Sequence, residues 1–196
     1  KHILFYPDVA EMYNDSFQTY VDVENVSKNL CGDKREGHFR GVATVVLKLF
    51  NIVKPDAAIF GIKDAQQVRV IEKMVEDLDV DIEIIRGEIV REEDGLAMSS
   101  RNKYLSDDER KEALCLRKSL LFIKSLIEAG ERESKILKEK VSSFLLENRH
   151  NPKIDYFEIV DFATMRNIDT ISGDVLIACA FYIGKTRLID NILIKI

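Results

Sequence analysis

Residues 57–85 read AAIFGIKDAQQVRVIEKMVEDLDVDIEII, and the spacing of their apolar groups changes twice. Ala57 to Phe60 is a short apolar run between Pro55 and Gly61, as expected of a buried strand. Beyond it Val68, Ile71, Val75 and Leu78 recur at helical spacing and predict a helix over residues 65–77, and Ile82 to Ile85 is again strand-like. A strand, a helix and a strand of these lengths predict a parallel crossover, the unit of α/β folds.

Upstream, residues 41–53 (GVATVVLKLFNIV) are apolar on nearly every side. That suits a helix packed on a sheet and covered from outside, stopped by Pro55. Ile3 to Tyr6 reads as a buried strand, Val9 to Tyr13 as a short helical piece, and Tyr20 to Val23 as extended chain. The chain starts with Lys1 and a strand-like run without lead-in, which suggests that it begins inside a fold.

After Val90 the pattern changes. Residues 91–105 (REEDGLAMSSRNKYL) are polar and irregular. Ser106 with Glu109 forms a capping-box signature, and Ala113, Leu116, Leu120, Ile123 and Ile127 then follow one helical face until Gly130. A second helix uses Leu137, Val141, Phe144 and Leu145. Strands are predicted over residues 154–160, Val175 to Ile183 and residues 187–194, with Gly173 and Gly184 at the turns. The division is therefore an α/β part over residues 1–89 and an α+β part, two helices and an antiparallel sheet, over residues 90–196.

Composition narrows the function. Hydrophobic residues make up 46% of the 196, enough for a core, and 29 Lys and Arg against 34 Asp and Glu give a net charge of -5. No basic excess points to nucleic acid. The run Val175 to Ile183 is about half the roughly 20 residues of a bilayer helix, so no membrane span is expected. Cys31, Cys115 and Cys179 lie far apart and read as small buried or neutral side chains, which fits a reducing, cytoplasmic setting. His2, His38 and His150 are too dispersed to suggest a His/Cys/carboxylate metal cluster, and no P-loop, Gly-x-Gly-x-x-Gly or Gly-x-Ser-x-Gly motif occurs.

Three clusters remain. Phe60-Gly61-Ile62-Lys63-Asp64-Ala65-Gln66-Gln67 lies where strand passes to helix, the edge at which open α/β sheets bind ligands. Asp64 there is either a helix cap boxed by Gln67, or it orients a nucleotide hydroxyl or a metal-bound water. In the second case Lys63 faces phosphate and Gln67 a small polar substrate. Met98-Ser99-Ser100-Arg101-Asn102 is either a solvated turn or a wrap of hydroxyls, N–H groups and guanidinium around a pyrophosphate. Gly37-His38-Phe39-Arg40-Gly41 opens the apolar helix and reads as a backbone turn with a satisfied histidine.

Taken in order, these clusters together with Leu30-Cys31-Gly32, Asp94-Gly95-Leu96-Ala97 and Leu188-Ile189-Asp190-Asn191 resemble the pantoate–β-alanine ligase family. The resemblance covers the chain but only the later part of the family's length. It implies the second part of a Rossmann-like nucleotidyltransferase domain followed by a small α+β domain. It also implies an ATP- and Mg2+-dependent, AMP-forming ligase that joins pantoate to β-alanine through pantoyl adenylate, usually as a homodimer. By family match Gly61, Ile62, Lys63 and Asp64 contact ATP, Gln67 binds pantoate, and Val90 packs near the adenine. Met98, Ser99, Ser100 and Arg101 form a loop over the phosphates, mobile when empty. Ile62 stands where many relatives have Glu, and Ala65 where an aromatic is common.

The family's His-x-Gly-His signature and its early substrate-binding glutamine have no counterpart in these residues. The expectation is that the 196 residues alone lack net ligase activity and leave an apolar edge open beside Ile3–Tyr6 and Ala57–Phe60. The competing readings are another adenylating nucleotidyltransferase and a silent nucleotide-binding or dimerisation module.

Overall fold

The computed structural model describes residues 3–32, 34–148 and 150–196; Lys1 and His2 lie outside them. After a single-turn helix α1 (Val9–Met12) the chain runs as loop to α2 (His38–Val53). Gly37 precedes α2 at φ +71°, a left-handed conformation that suits glycine. Lys54, also left-handed at φ 50°, ends the helix just before Pro55. Strand β1 (Ala57–Gly61), a turn of 3-10 helix (Ile62–Asp64), α3 (Ala65–Asp77) and β2 (Glu83–Gly87) make the expected crossover, with β1 and β2 parallel in the register Ala57↔Glu83 to Gly61↔Gly87.

One strand expectation fails. Residues 3–7 have no regular structure, and Ile3, Leu4 and Tyr6 are 93%, 87% and 86% exposed. Strand propensity records how well a residue fits a paired, half-buried surface. The parallel sheet of the described residues consists of β1 and β2 alone, and this run pairs with neither. Ile59 and Ile85, register partners on that sheet, are exposed too.

The rest of the chain forms α4 (Asp107–Glu128), α5 (Ser134–Glu147) and an antiparallel sheet of β3 (Lys153–Asp161), β4 (Val175–Ile183) and β5 (Thr186–Ile194) in that order. The capping box forms: Glu109 N donates to Ser106 Oγ at 3.3 Å and Ser106 N to Glu109 Oε2 at 2.9 Å, a motif worth about 1 kcal/mol. Gly130 turns the chain at φ +102° beyond the helix.

The sheet is buried on both faces, and this joins the two halves. Along β4, Val175, Ile177, Cys179, Phe181 and Ile183 pack with Leu116, Leu120 and Ile123 of α4 and Leu137 and Val141 of α5. The alternate residues Leu176 and Ala178 pack with Ala43, Val46 and Phe50 of α2 and with Ile71 and Met74 of α3. A central strand between two helical layers needs apolar groups on both sides, which is why residues 175–183 (VLIACAFYI) show no alternation. The packing sets β5 against the turn after β1, where the polar clusters meet.

Candidate functional site

Gly61 and Gly87 are register partners at the C-terminal ends of the two parallel strands, so no side chain stands over that edge. The 3-10 turn Ile62–Asp64 leaves it and enters α3. Asp64 is the N-cap residue, but its carboxylate caps no N–H group of the helix, so the capping-box reading with Gln67 does not hold. The turn and the start of α3 border a cleft. Lys63, Asp64 and Gln67 line it from this side, His38 from the start of α2, Leu30, Cys31 and Arg35 from the loop before it, and Tyr156, Asp190 and Asn191 from the antiparallel sheet.

Lys63 is the site's central cation. Its half-buried ammonium donates to the Met98 carbonyl at 3.0 Å. Burial pulls its pKa down from 10.5; Asp64 and Asp190 pull back upward, and Arg101 and Arg91 push downward. His38 is likewise lowered, first by burial and then by Arg35. Arg35 Nη1 lies 3.0 Å from His38 Nε2, and a guanidinium can only donate, so this ring nitrogen accepts and the imidazole is neutral. His38 thus lines the cleft instead of closing a turn alone.

Residues 90–98 form a narrow hairpin. Met98 N donates to Val90 O at 2.9 Å, Glu92 N to Leu96 O at 2.9 Å, and Gly95 sits at the bend with φ +90°. Val90 is 64% exposed at its base. Ser99 to Asn102 follow as a turn, with Arg101 N donating to Ser99 Oγ at 3.2 Å and Asn102 N to Ser99 O at 3.0 Å. Ser99, Ser100 and Arg101 do not line the cleft. The turn stands beside it, attached through Met98 and Lys63, and Arg101 faces a wider depression shared with Lys185 and Arg187. Arg110 holds the hairpin to α4 through Glu92 and through Asp94 at 2.9 Å.

Several residues of the site had no assigned role in the sequence reading. Gln66, 5% exposed, turns inward while Gln67 faces the cleft. Its amide nitrogen donates to the carbonyls of Val26, Lys28 and Asn29, and its oxygen accepts from Cys31 N at 3.0 Å. One side chain thereby shapes the loop that bears Leu30 and Cys31. Cys31 is partly exposed, with Sγ 3.4 Å from the Tyr156 hydroxyl, whereas Cys115 and Cys179 are buried. Asp190 and Asn191 occupy an apolar strand, RLIDNILI, and two adjacent polar residues there were the available signal.

A His/Cys/carboxylate group does assemble, contrary to expectation: ligand atoms of Glu112, Cys115 and His150 lie within 4.8 Å of one another. Glu112 is already engaged by His150 Nδ1 at 2.9 Å and by Asn151 N at 2.9 Å, and burial pushes the Cys115 thiol up to about 12. The group fastens the chain after α5 to α4.

The family profile described as pantoate-beta-alanine ligase matches residues 1–193. The chain is 56% identical to a pantothenate synthetase of Fervidobacterium nodosum, over 98% of this chain and 68% of the relative. It is 55% identical to one of Caldicellulosiruptor saccharolyticus, with the same two coverages. A crystal structure of the pantothenate synthetase of Thermus thermophilus superposes with a TM-score of 0.87 at 38% identity, covering 95% of this chain and 67% of that one. A pantoate-beta-alanine ligase of Francisella tularensis, solved in complex with beta-gamma ATP and beta-alanine, gives 0.60 at 30% identity, covering 94% and 61%. The profile match along nearly the whole length and the identity to these relatives, on a parallel crossover with an open glycine edge, place the chain in the pantoate–β-alanine ligase family, ATP-dependent enzymes that join pantoate to β-alanine to make pantothenate.

Proposed function

We propose that the cleft is the adenylation site of this ligase. Gly61, Ile62, Lys63 and Asp64 contact ATP, Met98, Ser99, Ser100 and Arg101 close over its phosphates, Val90 packs near the adenine, and Gln67 binds pantoate. In the first step a pantoate carboxylate oxygen bonds to the α-phosphorus while the bond to the bridging oxygen of pyrophosphate breaks. In the second the β-alanine amine attacks the acyl carbon of pantoyl adenylate and AMP leaves. Negative charge gathers on the leaving pyrophosphate in the first step. Lys63 meets that charge from the cleft and Arg101 would reach it when the turn beside the cleft closes, and in a partly desolvated site they act more strongly than in water.

The observation that carries this reading is Lys63. Its ammonium is half-buried, with Asp64 and Asp190 as well as Arg101 and Arg91 around it, and its hydrogen bond among the described residues is to a neutral carbonyl, so a polyphosphate would supply a closely bound anion. Mg2+ fits as a companion of the nucleotide. Asp64 offers one exposed carboxylate at the cleft, and such an ion takes one or two carboxylates and completes its shell with phosphate and water oxygens. When bound it neutralises phosphate charge.

Residues 1–89 serve as the nucleotide-binding part and residues 90–196 as the part that carries the phosphate loop and closes the cleft. The protein acts as a homodimer, a reading supported by exposed Ile59 and Ile85, and the three free cysteines favour a cytoplasmic setting.

The test is pyrophosphate release by the full-length protein given ATP and pantoate. Lys63→Ala and Arg101→Ala should each slow it by about 100-fold or more, as removal of one charge-stabilising donor does. A wild-type rate for Lys63→Ala would refute the assignment, and one for Arg101→Ala would remove Arg101 from it.

A further inference from the structure

Asp190 is a buried carboxylate, 3% exposed, in the wall of the cleft. Arg91 grips it with both arms of its guanidinium, Nη1 to Oδ2 at 2.8 Å and Nη2 to Oδ1 at 2.9 Å. Arg91 Nη1 also donates to Gly95 O at 3.1 Å, so the same group stiffens the hairpin that leads into Met98–Arg101. On the other side Asp190 Oδ1 accepts from Asn191 N at 2.8 Å, and Asn191 Nδ2 donates to Ile62 O at 2.9 Å and Lys63 O at 2.8 Å. Those two carbonyls belong to the turn that carries Lys63. A single connected path of hydrogen bonds thus links the nucleotide-facing turn to the base of the phosphate loop across β5.

Stability alone gives no reason for such a path. Burying an ion pair costs desolvation, and apolar residues of similar volume often do as well or better. What a bidentate pair supplies that apolar packing does not is a fixed direction. We propose that Arg91, Asp190 and Asn191 form one positioning unit that sets the turn bearing Lys63 and the loop bearing Ser99–Arg101 at the spacing the adenylation transition state requires. The inference rests on the roles proposed above for those groups. Although Asp190 and Asn191 border the cleft, the polar atoms of the three are taken up by one another and by the turn and the hairpin, so they act through Lys63 and the loop, and a misplacement of about 1 Å in such a group can cost about 100-fold in rate.

The experiment is a double-mutant cycle in the full-length protein, read as single-turnover pyrophosphate release with ATP and pantoate. Asn191→Ala frees the Ile62 and Lys63 carbonyls and should slow release by about 10- to 100-fold while KM for ATP moves by less than about threefold, because a displaced Lys63 fails the transition state more than the ground state. In a Lys63→Ala background the same change should cost less than about threefold, since the residue it positions is gone. A full multiplicative loss in that background, or a rate within about twofold of wild type for Asn191→Ala alone, overturns the inference while the site reading stands. A wild-type rate for Lys63→Ala overturns the site reading, and the inference with it. Should Asn191→Ala fail to fold, Arg91→Lys keeps the charge but cannot span both Asp190 oxygens; a loss of about tenfold supports the unit and an unchanged rate overturns it.

Discussion

Gln66 and Gln67 are neighbours on α3, one hydrogen-bonded into the loop before α2 and the other proposed to bind pantoate, and replacing each by leucine separates the two roles. In Gln66→Leu the volume is kept and the amide lost. Cys31 N then has no acceptor in Gln66, and the carbonyls of Val26, Lys28 and Asn29 lose a shared donor; the closest of these contacts is 2.7 Å, to Lys28 O. The amide has only two protons for three carbonyls, so the loss amounts to about three hydrogen bonds at about 1 kcal/mol each, more where a buried group stays unsatisfied. The loop has little capacity to relax. Asn29 and Leu30 are left-handed at φ 63° and 46°, and a Cβ on Gly32 would lie 1.8 Å from Ser27 O. The expected loss in urea unfolding is about 2–4 kcal/mol, with a raised KM for pantoate because Leu30 and Cys31 line the cleft. Gln67→Leu should cost less than about 1 kcal/mol of stability while impairing pantoate binding more. Gln66→Leu within about 0.5 kcal/mol of wild type would refute the view that this side chain shapes the loop.

Lys63 gives the site a pH dependence of known sign. Its pKa is lowered in the free fold, by burial first, and a bound polyphosphate would raise it, so nucleotide binding takes up a proton on the alkaline side. Affinity for ATP should therefore fall as pH rises through the lowered pKa, below 10.5, and Lys63→Arg should move that limb upward; an unshifted limb in calorimetric titrations would exclude Lys63 as its source. The same shift works against stability. The unfolded chain holds this proton more tightly, so the cost is fully present below the lowered pKa and is recovered as pH approaches 10.5. Alkylation should find Cys31 in the native protein and leave Cys115 and Cys179 untouched until unfolding, because the latter are buried and both of their thiols are pushed up, Cys115 to about 12. Mass spectrometry with and without ATP and pantoate checks this, and equal labelling of all three would contradict the packing.

The elements that sequence reading located are those whose cause is local. The crossover over residues 57–85 follows from period changes and Pro55, and the capping box of α4 from two residues three apart. Ile3–Tyr6 misleads for the opposite reason: a strand needs a neighbour, and propensity does not report whether one is there. The site divides the same way. Lys63, Asp64 and Gln67 stand out because strand-to-helix junctions in α/β folds hold ligands. Gln66, Asp190 and Asn191 lie in stretches that carry the family resemblance but receive no role from the sequence, and neither does Arg91, since each acts on groups 35 to 129 residues away and only the assembled fold brings those groups together. Those remote partners are main-chain carbonyls and amides or a buried counter-charge, none of which marks the sequence at the receiving end. Chemistry that touches substrate tends to be spelled out in the residues that perform it, while the bonds that aim those residues are written into strands such as RLIDNILI, where a carboxylate and an amide interrupt an apolar run that packing alone would have filled.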